Sequence, residues 1–160
     1  MNIRRAEPAD ARAILAIIIP TIRAGETYAI DPVLSEADAL AYWMAPDKDT
    51  FVADEGGRIV GTYYMRPNQP GGGSHVCNCG YMTAPAAAGR GVAGLMCAHS
   101  IERARAKTYR AMQFNFVVST NERAVRLWQR FGFAIVGRLP GAFHHPSAGY
   151  VDALVMFQTL

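Results

Sequence analysis

The stretch from Gly80 to Lys107 constrains this 160-residue chain more than any other. It begins as a short β-prone segment, and Pro85 ends that strand because proline has no N–H to donate. Three glycines follow within six positions, and a helical run begins at once. Such a turn exposes the unpaired N–H groups of a helix N-terminus and lets a phosphate approach the backbone closely. We therefore predict an anionic ligand, of the pyrophosphate kind, at residues 89–94.

The same glycines spell G-x-G-x-x-G, the fingerprint of dinucleotide-binding folds. That fingerprint normally opens the first βαβ unit, and an acidic residue about twenty positions later holds the ribose. Here the turn lies past mid-chain, and residues 109–116 contain no Asp or Glu. A dinucleotide is therefore not the expected ligand.

Composition predicts one domain spanning residues 1–160, since half of the residues are apolar and the chain is long enough for a core. The net charge of +3 suits a polyanionic ligand but is too small to predict nucleic-acid binding. Cys77, Cys79 and Cys97 lack companion ligands at suitable spacing, so we expect reduced thiols and no metal. The apolar run Ile14–Ile19 is too short for a membrane span or a signal core, which predicts a cytoplasmic protein without a membrane partner.

Apolar periodicity predicts the element order β-α-α-β-β-β-α-β-α-β-β, an α/β fold with a mixed sheet. The strand Ala111–Ser119 follows a helix and should therefore run parallel to the central strand Ser74–Ala84. In the helix from Gly91 to Lys107, spacing predicts an inward side that includes Leu95. The closing strands are expected at 133–139 and 149–157, joined by a loop that carries His144 and His145.

The glycine turn resembles the acetyl-CoA site of the GCN5-related N-acetyltransferases (GNAT), whose signature is [Gln/Arg]-x-x-G-x-[Gly/Ala] after a strand and a Pro. Ala88 stands where the family commonly has Arg or Gln. A second segment is similar to the family's Asn…Ala…Leu-Tyr…Gly-Phe pattern; it reads Asn121-x-x-Ala124-x-x-Leu127-Trp128-x-x-Phe131-Gly132-Phe133. The resemblance covers the full length and implies the GNAT acyl-CoA N-acyltransferase fold, in which the two central strands splay apart.

The resemblance implies acetyl-CoA as co-substrate. Its pantetheine arm should lie between the splayed strands and pair with the backbone of Tyr81–Thr83, while the pyrophosphate lies on the amides of Gly89–Gly94. The implied cofactor-binding residues are Tyr81, Met82, Thr83, Gly89, Arg90, Gly91, Val92, Ala93, Gly94 and Asn121.

An amine must lose a proton before it attacks a thioester, and the departing thiolate gains from a proton donor. The donor in many relatives is a Tyr where this chain has Trp128, whose indole cannot act as an acid at neutral pH. Either the thiolate leaves unassisted or another group serves, and the base is equally open. The candidate donors are Tyr81, Cys79, Tyr63 and Tyr64, and the candidate bases are His75, His144 and His145, each with a surface or structural role as the alternative.

The segment between the first two helices covers the acceptor in the family, so the resemblance implies acceptor contacts there; a solvated loop is the alternative. The residues concerned are Arg23, Glu26, Thr27 and Tyr28. A narrower resemblance, through His75–Gly80, Gln113–Asn115 and Val118–Asn121, links the chain to the fungal N-acetyltransferases that detoxify azetidine-2-carboxylate. It implies acceptor placement or catalysis for Asn78, Asn115 and Asn121. Burial of the first two amides in apolar strands would be costly without partners, and pairing with a neighbouring backbone group is the alternative role.

The expected function is transfer of acetyl from acetyl-CoA to a primary or secondary amine of a small molecule, such as an amino acid or an analogue, by direct attack in a ternary complex. Ala88 and Trp128 motivate one alternative, a non-catalytic acyl-CoA-binding module. The other alternative is an acetyltransferase of protein N-termini or lysines. Family habit also suggests a homodimer.

Overall fold

Seven strands form one mixed sheet in the order β1-β2-β3-β4-β5-β7-β6, in a computed structural model that describes residues 1–160. The chain order is β-α-α-β-β-β-α-β-α-β-β, as predicted. The strands are β1 (Asn2–Arg5), β2 (Asp49–Glu55), β3 (Arg58–Pro67), β4 (Val76–Thr83), β5 (Ala111–Val118), β6 (Ala134–His145) and β7 (Gly149–Thr159); the helices are α1 (Ala11–Ala24), α2 (Glu36–Trp43), α3 (Val92–Ala106) and α4 (Glu122–Arg130). None of these helices has both the length and the apolar character needed to cross a membrane.

The sheet is interrupted at its centre. Strands β1 to β4 pair in antiparallel fashion, and so do β5, β7 and β6. Between these two groups, β4 and β5 are parallel, as predicted, but they pair only at Val76↔Ala111 and Cys77↔Met112. Beyond these two positions the strands separate, which confirms the predicted splay.

Alternation along β4 feeds two hydrophobic cores on opposite faces of the sheet. Cys77 and Cys79 enter the core beneath α3 and α4, whereas Met82 enters the core beneath α1 and α2. Cys97 of α3 lies in the first core as well, and all three cysteines are buried free thiols. Both faces of β4 are therefore covered, and the gap between β4 and β5 gives access to the middle of the sheet.

An ion-pair network fixes the start of α1. The guanidinium of Arg4 donates two hydrogen bonds of 2.8 Å to the carboxylate of Asp10, and its Nε donates to Asp54 of β2 at 3.0 Å. Asp10 also accepts from the backbone N–H of Glu7 at 2.8 Å. The Arg4 guanidinium lowers the pKa of Asp10, because it stabilises the charged carboxylate. One arginine thus joins β1, β2 and the turn before α1.

Two sequence-based expectations about the elements are wrong. Leu95 is 47% exposed, because the buried stripe of α3 runs one position away, through Met96, Cys97 and Ser100. Apolar periodicity did not predict this stripe, because Cys97 and Ser100 are not strongly apolar side chains. His144 and His145 belong to β6 and not to a loop, because bulges between Leu139 and Phe143 let the strand continue past Pro140.

Candidate active site

The separation of β4 and β5 opens a cleft of about 1210 Å³. The glycine turn and the first residues of α3 form one wall, and the segment after α1 covers the opposite side. Most of the residues selected from sequence line this one cleft: Glu26, Thr27, Tyr28, Asn78, Tyr81, Met82, Thr83, Gly89, Gly91, Val92, Ala93, Gly94, Asn115 and Asn121. Residues up to 95 positions apart in sequence are thus brought together.

The glycine turn adopts a backbone that other residues rarely adopt. Gly89 and Gly91 have φ values of 83° and 82°, and Gly91 is the residue before the first turn of α3. The first amides of any helix have no partner inside it, so these N–H groups and the helix dipole favour an anion at this wall. Arg123, whose Nη2 lies 3.5 Å from the position that a Gly89 Cβ would occupy, adds a positive charge. Sequence reasoning missed Arg123, although its place two residues after Asn121 was a signal.

The backbone of β4 points alternately to β3 and into the cleft. Ala84 donates to Val60 and Asn68 donates to the carbonyl of Val76, so the even-numbered residues pair with β3. Cys79, Tyr81 and Thr83 therefore direct their N–H and C=O groups toward the gap. These groups are the polar surface that a bound chain of amides would meet.

The hydroxyl of Tyr28 is already hydrogen-bonded to the backbone of Tyr81, the middle one of these three residues. This hydroxyl accepts a 2.7 Å hydrogen bond from the N–H of Tyr81 and donates a 2.8 Å hydrogen bond to the carbonyl of the same residue. Burial raises the pKa of Tyr28, so the hydroxyl stays protonated. The backbone of Tyr81 is thus not free for a cofactor arm in this structure, and Thr83 and Cys79 are the residues whose groups remain.

The segment that carries Tyr28 is held down at a second point. Arg23 donates to the carbonyl of Pro32 and, at 2.7 Å, to the carbonyl of Leu34. Arg23 was expected to contact the acceptor, but its side chain instead closes the loop between α1 and α2 and does not line the cleft. The loop is therefore a fixed cover over the gap.

The two asparagines selected from sequence differ in their surroundings. Asn78 is buried, and its Nδ2 donates 2.9 Å to the carbonyl of Gln113, so its side chain bridges β4 and β5 where their pairing ends. Asn115 is exposed, and its amide bonds to the side chains of Asn68 and Gln113 at 2.7 and 2.8 Å. The expectation that both amides are buried holds for Asn78 alone. Asn115 lies on the rim, since β5 has no neighbour there on the β4 side.

Arg90 and Asn121 also differ in position. The guanidinium of Arg90 pairs with Glu55 at 2.6 Å on the outer surface, and Arg90 does not line the cleft. Asn121 does line it, and it is the N-cap of α4, since its Oδ1 accepts from the N–H of Ala124 at 3.4 Å.

The four candidate proton donors are not equivalent. Tyr63 lies on the face of the sheet that α3 covers, where its hydroxyl bonds to His99 Nδ1 at 2.7 Å. The hydroxyl of Tyr81 bonds to Ser100 of the same helix at 2.7 Å. Tyr64 lies against Gly80: a Cβ built there would be 2.9 Å from the Tyr64 hydroxyl. Burial raises the pKa of Tyr64, so its hydroxyl stays protonated and is a weaker acid than that of a free tyrosine. Cys79 also lines the cleft as a buried thiol whose pKa burial raises.

The candidate bases lie mostly outside the cleft. His75 is exposed just before β4, and His144 stacks on Tyr150 with ring centroids 4.7 Å apart. His145 borders a smaller pocket of about 180 Å³ together with Glu26 and Asn121. No group of three or more His, Cys, Asp or Glu side chains is arranged to hold a metal ion.

Trp128, which replaces the usual tyrosine, is part of the cleft wall. Its ring packs against Tyr81 and Phe114, with centroids 5.0 and 5.2 Å apart. The indole is therefore a packing group that shapes the cleft beneath α4.

Comparison with known proteins agrees with this geometry. The acetyltransferase (GNAT) family matches residues 18–133. An N-acetyltransferase of Schizosaccharomyces pombe is 28% identical in an alignment of 151 positions that covers 84% of this chain and 72% of that protein. A GCN5-related N-acetyltransferase from Kribbella flavida is 45% identical with a TM-score of 0.95, over 99% of this chain and 97% of the other.

A putative acetyltransferase from Salmonella typhimurium, solved with its cofactor acetyl-CoA, shares the fold at 22% identity, with a TM-score of 0.87 over 100% of this chain and 94% of the other. The likeness thus extends across the whole sheet, and the family match includes the glycine turn and the Asn121 segment. This chain belongs to the acetyltransferase (GNAT) family and is an acetyl-CoA-dependent N-acetyltransferase.

Proposed function

We propose that this enzyme transfers the acetyl group of acetyl-CoA to the amine of a small molecule, by direct attack in a ternary complex. The observation that carries the proposal is the continuity of the cleft. One cavity joins the glycine turn at residues 89–94 to the covered region beneath Tyr28. Cofactor and acceptor can therefore meet without leaving it.

The pyrophosphate would lie on the amides of the glycine turn, with Arg123 nearby, and the pantetheine arm would follow the gap toward Asn78. This arrangement is supported by the free amides of the turn and by the backbone groups of Thr83 and Cys79 that face the gap. Acetyl-CoA supplies the thioester whose carbonyl carbon the amine attacks. The bound arm would make the hydrogen bonds to the β4 backbone that β5 does not make.

Direct attack is favoured over an acetylated enzyme. Cys79 is the only cysteine that lines the cleft, and burial raises the pKa of its thiol well above the usual value. The thiolate is the nucleophilic form of cysteine, so this thiol is poorly suited to accept the acetyl group. In the proposed reaction, the C–N bond forms as the C–S bond breaks. The amine loses its proton to a base or to water, and the CoA thiolate gains one.

A small acceptor is favoured over a protein. The bond between Tyr28 and Tyr81 and the contacts of Arg23 hold the loop after α1 over the cleft, so an extended peptide has no open groove on that side. The narrower resemblance to enzymes of azetidine-2-carboxylate agrees with an acceptor of amino-acid size and remains a prediction.

The test is CoA-thiol release from acetyl-CoA with a panel of amino acids, proline analogues and polyamines. We expect acceptor-dependent release, and we expect Asn78→Ala to lower kcat/KM by about a hundredfold, because displacement of a positioned group costs about this factor. Asn115→Ala should have a smaller effect, since Asn115 is exposed on the rim. Gln129→Ala, an exposed amide on α4, is the control. Tight CoA binding without thiol release from any acceptor would contradict the proposal.

A further inference from the structure

The end of the cleft nearest the start of β4 carries a positive charge that no buried carboxylate neutralises. Arg66 lies directly opposite Asn78 in the β3–β4 ladder, so both side chains leave the same face of the sheet. Both residues line the cleft. The Nε of Arg66 is buried without a hydrogen-bond partner, and the one acidic contact of this side chain is a 3.4 Å approach to Asp47, which is itself largely exposed.

A second cation lies beside Arg66. Lys48 is 7% exposed, and its Nζ lies 3.5 Å from the ring centroid of Tyr42 and 4.4 Å from that of Tyr64 while it donates to the carbonyl of Tyr42. Burial, and next the charge of Arg66, lower the pKa of Lys48 to about 8, while Asp47 acts weakly in the opposite direction. Two cations therefore lie close together at this end, where a bound anion would be stabilised.

The only carboxylate that lines the cleft is Glu26, and it lies at the other end. Glu26 also borders the small pocket with Asn121 and His145, past the last residue of β5. Arg66, in contrast, lies near the first residues of β4. Glu26 and Arg66 thus lie toward opposite ends of one cavity.

We infer that Arg66 binds a carboxylate of the acceptor, so that the acceptors of this enzyme are amino acids or their analogues and not simple amines or polyamines. The inference rests on the proposed function and narrows its acceptor class. A guanidinium matches a carboxylate with two parallel hydrogen bonds, which fixes orientation as well as charge.

Asn78 supplies the second contact that an amino acid needs. Its Nδ2 is occupied by Gln113, which leaves Oδ1 to accept a hydrogen bond from an amine. Because Arg66 and Asn78 are cross-strand neighbours, a carboxylate on one and an amine on the other are separated by a short distance, as in an α-amino acid. The carboxylate would thus hold the amine beside Gly80, where the gap between β4 and β5 opens.

The experiment compares amino acids, including azetidine-2-carboxylate, with the carboxamides that differ from them only in lacking the carboxylate. Binding of each member to the protein saturated with CoA is measured by calorimetry, in parallel with thiol release from acetyl-CoA. The variants are Arg66→Gln and, as a matched loss of charge, Arg58→Gln, an exposed residue at the other end of β3. Unchanged CoA affinity and circular dichroism show that each variant is folded.

We expect the carboxylate member of a pair to bind the wild type and Arg58→Gln at least about tenfold more tightly, which corresponds to about 1.4 kcal/mol. Arg66→Gln should bind both members equally. Equal binding by the wild type, a preference that survives in Arg66→Gln, or the absence of binding by every carboxylate overturns the inference. The proposed function fails differently: a preference that depends on Arg66, without thiol release from any acceptor, supports the subsite and rejects acetyl transfer.

Discussion

Tyr28 connects the helical cover of this enzyme to the opening in its sheet. Its hydroxyl satisfies the N–H and the C=O of Tyr81, and it stands where the next strand of a continuous sheet would stand. Residues 53 positions apart are joined in this way. The contact holds the loop after α1 at a fixed height above β4, and it thereby sets the depth of the acceptor end of the cleft.

Replacing Tyr28 by Phe removes this hydroxyl, and the N–H and C=O of Tyr81 lose their partner at the part-buried edge of the gap. We expect Tyr28→Phe to lower the free energy of unfolding by about 1–3 kcal/mol, because each of the two lost hydrogen bonds contributes about 0.5–1.5 kcal/mol. Urea unfolding followed by circular dichroism measures this free energy. Tyr150→Phe is the control, because Tyr150 is 78% exposed and its loss should change stability by less than about 0.5 kcal/mol. Equal stabilities of the two variants would contradict the assigned role.

Sequence reasoning placed Tyr28 at the site but not for this reason. Its selection came from the family resemblance, while its bond to Tyr81 depends on two segments that only the folded chain brings together. The same holds for Arg66, which reads in sequence as an ordinary charged residue near the end of a strand. Asn78 was selected through the narrower family resemblance, supported by the rarity of an amide in an otherwise apolar strand.

At the scale of the elements, the turn between β4 and α3 depends on its backbone conformation more than on space. A Cβ on Gly91 would meet nothing within 4 Å, yet its φ of 82° is unfavourable for any L-residue with a side chain. Gly94 lies inside α3, and a Cβ there would be 3.8 Å from the ring of Phe131, an ordinary contact. Gly91 is therefore required for its backbone conformation, whereas Gly94 has neither an unusual conformation nor a close contact that requires glycine.

We expect Gly91→Ala to lower the free energy of unfolding by about 1–2 kcal/mol, the cost of a left-handed conformation for an L-residue. Gly94→Ala should leave stability unchanged or raise it by up to about 1 kcal/mol, because alanine is the better helix former. Thermal unfolding of the two variants beside the wild type gives both values. A stable Gly91→Ala, or a strongly destabilised Gly94→Ala, would show that space and not conformation is limiting.

The order of the elements could be predicted because apolar periods and Gly/Pro positions encode it locally. The gap between β4 and β5 followed from the family resemblance, and it needs no particular side chain. Leu95 and His144 could not be placed correctly, since the first depends on which side of α3 the sheet happens to cover and the second on bulges in β6. Asn115 was misjudged because the splay exposes one edge of β5 that a complete sheet would bury.

At the scale of the whole molecule, the sheet has two groups of strands joined at two residue pairs, so contacts at its margins matter for stability. The network of Arg4, Asp10 and Asp54 is one of these, and it joins β1, β2 and the turn before α1. Hydrogen bonds to Arg4 lower the pKa of Asp10. The backbone N–H of Gly57, and then Arg4, lower that of Asp54.

Because the unfolded chain binds these protons more readily, the network contributes stability above an Asp pKa of about 4 and loses it as pH falls through the lower folded values. We expect Asp10→Asn to lower the free energy of unfolding at pH 7 by about 1.5–3 kcal/mol, the range for hydrogen bonds to charged groups. The variant should also lose part of the acid dependence below pH 4. Urea unfolding between pH 2.5 and 7 measures both effects, with Glu102→Gln on the exposed side of α3 as control. A parallel acid profile in wild type and Asp10→Asn would contradict the assignment.

The burial of Cys77, Cys79 and Cys97 has a practical consequence for anyone who handles this enzyme. Burial raises the pKa of Cys97 to about 12 and that of Cys79 well above its usual value, so these two thiols carry almost no thiolate in the native state. A disulfide reagent that counts the CoA released during turnover should therefore see the product and not the protein. Added without substrates, the same reagent measures how often the core opens, because Cys77 and Cys97 must leave the core before they are labelled, whereas Cys79 borders the cleft.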